Sequence, residues 1–325
     1  MTNRYPPSPH GAPLDALTTG AIALAVAAVS SSGPLIAYAA APALAIAFWR
    51  NALAAGALGP FALLRRRGEL ASLIRGGSRR QGGYCVLAGV SLAAHFASWT
   101  PSAKLTSVAT ATALVATQPV WQGFIALWQG KRLPTVTWVG IAVAVAGAAL
   151  ATGADFGVSR QAFTGDLLAL LGAMTAAIYT AFGERARTAV STTTYTTICY
   201  GVCALVLLVG CLLGGVRLVG FDDSTWLAIL GLVVGAQLLG HSMFNYALHR
   251  VSATSISVLI LLEVPGAALI GWLWLGQMPR PAALPGLALL LAGVAIVVIG
   301  GARFGRRTVP PPLPPEPESE RVPAA

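Results

Sequence analysis

Four residues combine a chemistry-bearing side chain with a position deep inside an apolar segment: Arg50, His95, His241 and Glu263. An ionisable group at the centre of a bilayer costs about 2.5–3.5 kcal/mol on insertion scales, so such groups face a partner or a wet cavity. Glu263 sits 11 residues into an apolar run that begins near residue 252, roughly 16 Å deep at 1.5 Å per residue. A carboxyl there suits a proton carrier or an anchor for a cationic group of a cargo molecule; a structural partner for Arg50 is the plainer reading. His95 is equally central in its run, and histidine exchanges protons near physiological pH; the plainer reading of His95 and His241 is a pair of neutral rings bonding across helices. Arg50, beside Asn51, has the planar fork that grips a carboxylate, although an internal clamp on helix packing is the stronger expectation for it. Asn245, Gln118, Trp99, Tyr179, Gln122 and Gln237 could line the same cavity with hydrogen bonds and aromatic walls.

The segments that must position these residues dominate the chain. Of its 325 residues only 10% are charged and 56% are hydrophobic, and the mean hydropathy is +0.72. Too few charges remain to coat a water-soluble surface, whereas a membrane helix needs about 20 apolar residues. Apolar spans fall at 15–38, 41–63, 84–103, 106–128, 134–152, 165–183, 192–214, 225–247, 252–275 and 282–302. The net charge of +10 would suggest nucleic acid in a soluble protein, but the basic residues sit between the spans and describe topology instead. With the N-terminus in the cytoplasm, sixteen Lys and Arg fall inside and only Lys104, Arg160, Arg217 and Arg280 outside. The expectation is an all-α polytopic membrane protein with both termini cytoplasmic. The four cysteines lie within apolar runs and read as small packing residues.

The chain also repeats itself. Displaced by 146 residues, Gly89 meets Gly235, His95 meets His241, Pro119 meets Pro265, Trp128 meets Trp274, Gly140 meets Gly286 and Gly147 meets Gly293. His, Pro and Trp are scarce, so their coincidence carries the weight. A unit of five spans is odd, so the second copy enters the membrane inverted, the layout of many secondary transporters with a site near the midplane between halves. The organisation is a tail at 1–13, a first five-helix repeat at 14–154, a second at 155–302 and a Pro-rich disordered tail at 303–325. Pro119 and Pro265 each remove a backbone donor in mid-span, and Gly33 and Pro34 follow three serines in the first span. All four are candidate hinges. The glycines at 140, 147, 286 and 293 form a stripe for close helix approach, a packing device that also admits a homodimer.

Several stretches resemble the drug/metabolite transporter superfamily, and within it the EamA-like transporters. They are the Arg-bearing second span Ala47-Phe48-Trp49-Arg50-Asn51, the stretch from Ser107 to Leu133 closing in Trp128-Gln129-Gly130-Lys131, and its counterpart from Val251 to Gln277 closing in Trp274-Leu275-Gly276-Gln277. The resemblance covers about residues 15–302. Two departures stand out: Lys131 and Gln277 replace the Glu usual after the closing Gly, and Val264 separates Glu263 from Pro265. The resemblance implies export of amino acids, related metabolites or drugs; the two inverted halves point to alternating access by a secondary transporter, and the deep ionisable residues to protons as the coupling ion. Import, or carriage of nucleosides or nucleotide sugars, is the alternative within the superfamily. The implied setting is a bacterial cytoplasmic (inner) membrane, with the lipid bilayer and a small-molecule substrate as partners and no nucleic acid. No Walker motif, HExxH, GxSxG or Cys/His cluster occurs, so neither an ATP-driven pump nor an intramembrane enzyme is indicated, and no cofactor or metal is expected. A channel fits two broken, inverted halves less well than a carrier does.

Overall fold

The computed structural model describes residues 15–105, 111, 114–152, 159–275 and 284–307. The tail at 1–13, Asp155, Gln277, Arg280 and the chain beyond Arg307 lie outside the described residues. Within them the chain is helical and carries no strand.

The first half holds α1 (Ala16–Val29), α2 (Ser32–Tyr38), α3 (Ala43–Arg65), α4 (Arg67–Arg75), α5 (Arg79–Leu105), α6 (Gln118–Trp128) and α7 (Thr135–Thr152). The second holds α8 (Arg160–Ala186), α9 (Thr192–Leu213), α10 (Asp223–Gly231), a π-helical segment (Leu232–His241), α11 (Ser242–Ala247), α12 (Ala253–Ile260), α13 (Glu263–Leu275) and α14 (Leu284–Arg307). Where the chain is described, the apolar spans read from sequence fall on single helices or broken series of them. Helix α14 runs on to Arg307, so the expected tail from 303 begins as helix. Among the described residues four helical stretches are long and apolar enough to cross a membrane: 16–38, 160–186, 192–213 and 223–247; shorter apolar helices accompany them.

The burial pattern is that of a protein dissolved in lipid. Leu17, Leu64, Leu212 and Leu213 are exposed, while Arg50, Asn51, His95 and Gln118 are buried. Apolar side chains outside cost nothing against acyl chains, and polar ones find partners only inside. Cys85, Cys199, Cys203 and Cys211 are buried free thiols; the first three pack with Phe96, Tyr195 and Tyr200 in the main core.

The helix partnerships follow an internal two-fold. Helix α5 packs along α8, and its repeat counterpart, the π segment with α11, packs along α1. Helix α3 lies on α9, and α7 lies on α14. The last pair meets at the predicted glycines: a Cβ built on Gly147 would stand 2.7 Å from the Leu290 Cα, and one on Gly293 would stand 2.6 Å from the Ala144 Cα. Leu290 is the repeat counterpart of Ala144, and Gly293 that of Gly147, so the two contacts are copies of each other. The glycine stripe offered as a packing device or dimer face is thus occupied within the chain.

Three spans are broken, each just ahead of a predicted hinge proline. The first breaks at Ser30–Ser31, where the hydroxyls donate to the carbonyls of Val26 and Ala28 at 2.7 Å each, competing with the backbone ladder. The fourth turns at Ala116–Thr117 and the ninth at Leu261–Leu262. Pro119 and Pro265 therefore stand in the first turn of the resumed helix, where the missing N–H costs least, and not in mid-helix. At the ninth break the Leu261 carbonyl, which Pro265 cannot serve, accepts from the Val264 N–H at 3.1 Å.

At the arginine-rich end three carboxylates tie the halves together. Asp15 pairs with Arg250 at 2.7 Å. Glu184 pairs with Lys131 at 2.7 Å and accepts from the Ala253 N–H, capping α12 at 3.1 Å. Glu69, on the short helix α4, accepts from the Ser191 N–H at 2.6 Å and from the hydroxyls of Ser191 and Thr194 at 2.7 Å each, capping α9. At the other end two neutral bonds between the halves stand among the described residues, Ala40 N–H to Thr225 Oγ1 and Trp49 Nε1 to the Leu218 carbonyl.

Burial works to raise the pKa of Glu69, but the Ser191 N–H, the Thr194 and Ser191 hydroxyls and Arg66 outweigh it, and the carboxyl is held below its usual value. A depressed carboxyl gives stability that is complete above its unfolded value, about 4.3, and lost as pH falls through the folded one. The melting temperature in detergent should therefore fall as pH drops below about 4.3, and Glu69→Gln, losing a cap worth about 1 kcal/mol, should remove part of that fall. An identical pH profile in the variant would refute the assignment.

Candidate functional site

The three breaks and the π segment surround one cavity, with about 920 Å³ of empty space including its open mouth. Its wall takes residues from both halves: His95, Phe96 and Trp99 from α5, Gln118 from α6, Tyr179 and Thr180 from α8, His241 from the π segment, Asn245 from α11, and Ser257 and Glu263 from the ninth span. Seven of the side chains singled out in the sequence are thus brought together: Glu263, His95, His241, Asn245, Gln118, Trp99 and Tyr179.

The repeat governs this wall. His95 and Trp99 of the first half correspond to His241 and Asn245 of the second, and Thr117 corresponds to Glu263. Glu263 is the only acidic side chain among the described lining residues, and it has no hydrogen-bond partner among the described residues. It opens α13 at the ninth-span break, so backbone donors of a helix N-terminus lie beside it.

The histidines differ in their surroundings. His95 Nδ1 lies 2.9 Å from the Gly172 carbonyl. A carbonyl can only accept, so Nδ1 carries the hydrogen and Nε2 is left as the proton-accepting nitrogen. The ring stacks on Trp99 with centroids 6.0 Å apart. His241 packs instead against the rings of Phe96 and Tyr179 at 5.6 and 6.2 Å. It ends the π segment, whose wider turn re-aims side chains relative to the α-helix that carries His95. Gly240 in that segment lies against Val29, closely enough that a Cβ there would collide. Tyr179 donates to Asn245 Oδ1 at 2.8 Å, and Gln118 Nε2 to Thr180 at 3.3 Å. These bonds fix the wall.

Arg50 does not join the wall. It is 1% exposed, its Nε donates to Gln237 Oε1 at 2.9 Å, and its guanidinium lies 4.2 Å over the Phe96 ring. Gln237 in turn donates to Asn51 at 3.0 Å. Phe96 and Ser32 stand between Arg50 and the cavity, so the internal clamp, the stronger of the two expectations, is what the geometry provides. Gln237 belongs to that clamp and Gln122 also lies off the cavity. Gly33 and Pro34 sit in α2, immediately after the first break, and Pro119 and Pro265 immediately after the other two.

Sequence reasoning missed Ser32, Phe96, Thr180, Phe244 and Ser257, which line the cavity, and the carboxylates that tie the halves. Thr180 lies one residue past Tyr179, and Ser32 belongs to the serine run ahead of Gly33, so the signal for these two was present. Phe96 and Phe244 carried none beyond their place beside chosen residues.

A match to the EamA-like transporter family extends over residues 17–153 and again over 163–299. The chain belongs to the EamA-like transporter family. The two matched stretches agree with the two repeats and place the protein among multi-pass membrane transporters of the drug/metabolite superfamily. A probable terminal-alkyne amino-acid exporter of Streptantibioticus cattleyicolor is 30% identical over 203 residues, 61% of this chain and 66% of that protein. The match therefore spans just under two thirds of that relative's length. A crystal structure of a protein sharing 20% identity aligns with a TM-score of 0.69 over 88% of this chain and 97% of the other; it bears on the fold alone.

Proposed function

We propose that this EamA-like protein is a secondary exporter of small amphipathic metabolites bearing an amino group, amino acids and related compounds among them. It works by alternating access across ten spans, with both termini in the cytoplasm of a bacterial inner membrane. The observation that carries the reading is the carboxyl of Glu263, the one acidic side chain among the described residues that line a cavity otherwise walled by neutral and aromatic groups. The ammonium group of the cargo and a proton would compete for that carboxyl, which couples outward movement of one to inward movement of the other. His95, with Nε2 free, passes the proton on. The amino-acid exporter among the relatives supports the cargo class, and the breaks ahead of Pro34, Pro119 and Pro265 supply the hinges.

The test is flux in proteoliposomes. With an imposed pH gradient, labelled apolar amino acids and cationic drugs should be driven against their gradients, and collapse of the gradient by a protonophore should stop them. Flux indifferent to the gradient for every cargo tried would refute the coupling.

In this cycle the three carboxylate ties at the arginine-rich end form the gate that must open towards the cytoplasm. Glu184→Gln removes an ion pair and weakens a cap, and should bias the protein towards the open-inside state. A cysteine placed at Ser257 should then react faster with a membrane-impermeant maleimide from the cytoplasmic side, by about five-fold for each kcal/mol of bias. Equal rates in variant and parent would remove Glu184 from the gate.

A further inference from the structure

The structure points to a second binding site, separate from the cavity. We propose that Arg80 and Arg185 together bind the phosphate of an anionic phospholipid whose acyl chains lie along the apolar surface of α5 and α8. Arg80 opens α5 and Arg185 stands in the last turn of α8; these helices pack antiparallel, so the two residues meet at one end. Both guanidinium carbons lie 5.7 Å from the centroid of the same ring, Tyr84. Arg80 Nε also donates to the Tyr84 hydroxyl at 3.0 Å, and Tyr84 is itself stacked on Phe182 with centroids 6.1 Å apart. One fixed ring thus gathers two like charges from opposite halves of the chain.

Nothing among the described residues neutralises them. The carboxylates at this end are engaged elsewhere: Glu69 by Ser191 and Thr194, Glu184 by Lys131 and Ala253, Asp15 by Arg250. Two exposed, unneutralised guanidinium forks suit a phosphate, which accepts paired N–H donors from each. Just past the arginines the surface turns apolar and exposed, with Leu87 on α5 and Ile178 on α8. A cationic pair at helix ends above an apolar stripe matches a headgroup above its chains. A free phosphate would use only the upper part of that surface, which is why a phospholipid is the occupant chosen.

The full-length protein, delipidated in neutral detergent, would be titrated with dioleoylphosphatidylglycerol or dioleoylphosphatidylcholine. Bound lipid is counted by native mass spectrometry, and thermal stabilisation is read in parallel. Phosphatidylglycerol should bind and phosphatidylcholine should bind much more weakly. Losing one arginine should weaken binding about five-fold, and losing both (Arg80→Gln with Arg185→Gln) about thirty-fold. The control pair Arg65→Gln with Arg75→Gln, at the same end, should bind as the parent does. Equal binding of the two lipids, or equal losses from both pairs of substitutions, would overturn the proposal. So would glycerophosphate competing as well as the lipid, which would mark a site for the phosphate alone. If the double variant fails to fold, Arg80→Lys with Arg185→Lys keeps the charges and loses the forks; undiminished binding there would equally count against the site.

Discussion

Glu263→Gln should cut gradient-driven export by about thirty-fold or more, the effect of deleting one member of a desolvated charge pair. The substitution keeps the size of the side chain and its place at the start of α13, so folding should be spared. What disappears is the only acidic group on the described wall of the cavity. An ammonium cargo would then meet neutral amides and rings, and no exchange against a proton would remain. Glu263→Asp should retain part of the flux, because the charge is kept and only its reach shortened. His95→Ala should lower the flux less and flatten its pH dependence, since water can replace Nε2 as a proton carrier but not at the same rate. Two measurements decide the matter: initial rates in proteoliposomes with and without an imposed pH gradient. A Glu263→Gln variant that transports at the parent rate under both conditions would remove this carboxyl from the mechanism.

Gly293→Val should prevent accumulation of folded protein. The α7–α14 contact brings backbone against backbone, and a Cβ on Gly293 would stand 2.6 Å from the Ala144 Cα and 2.7 Å from its Cβ. Overpacking commonly costs about 1–3 kcal/mol when side chains can shift. Here the obstructing atoms are main chain, so the helices must part, and close approach is what holds them together in lipid. Gly147→Val should fail in the same way, because the contact is duplicated, with the Leu290 Cα 2.7 Å from the built Cβ. Gly56→Ala makes the contrast: a Cβ there meets nothing within 4 Å, and replacing a mid-helix glycine should stabilise by about 0.5–1 kcal/mol. Size-exclusion profiles of fluorescent fusions would separate the outcomes. A monodisperse, parent-like peak for Gly293→Val would mean that the helices are not held so close.

Much of this arrangement could be read from residue types and spacing. Depth along a span follows from counting, so the central positions of Glu263, His95 and His241 were accessible. Their convergence followed from the repeat, which makes two copies of one wall face each other. Azimuth was harder. Arg50 is as deep as the others, yet its side chain is turned away by Gln237 and Phe96, partners on other helices that counting along one span cannot supply. The π segment is hidden for another reason: its i→i+5 register departs from the 3.6-residue period by which helix faces are read. Glu69 and Glu184 looked like ordinary loop and helix-end charges, because their roles depend on helix termini more than 60 residues away in the chain. The prolines marked the breaks but not their positions, since the chain turns before the residue that cannot donate.

The α7–α14 contact has a further consequence. Each side offers the same residues to the other, as in a two-fold homodimer of a five-helix chain. A symmetric dimer would have to place every acid twice, and a cargo between identical walls would have no preferred direction to lie in. Fusion into a single chain lifts that constraint. The repeat counterpart of Glu263 is a threonine, Thr117, and that of Asn245 a tryptophan, Trp99. Only one of the two repeat copies brings an acid to the described wall of the cavity, so the chamber is not obliged to treat the two ends of an elongated molecule alike.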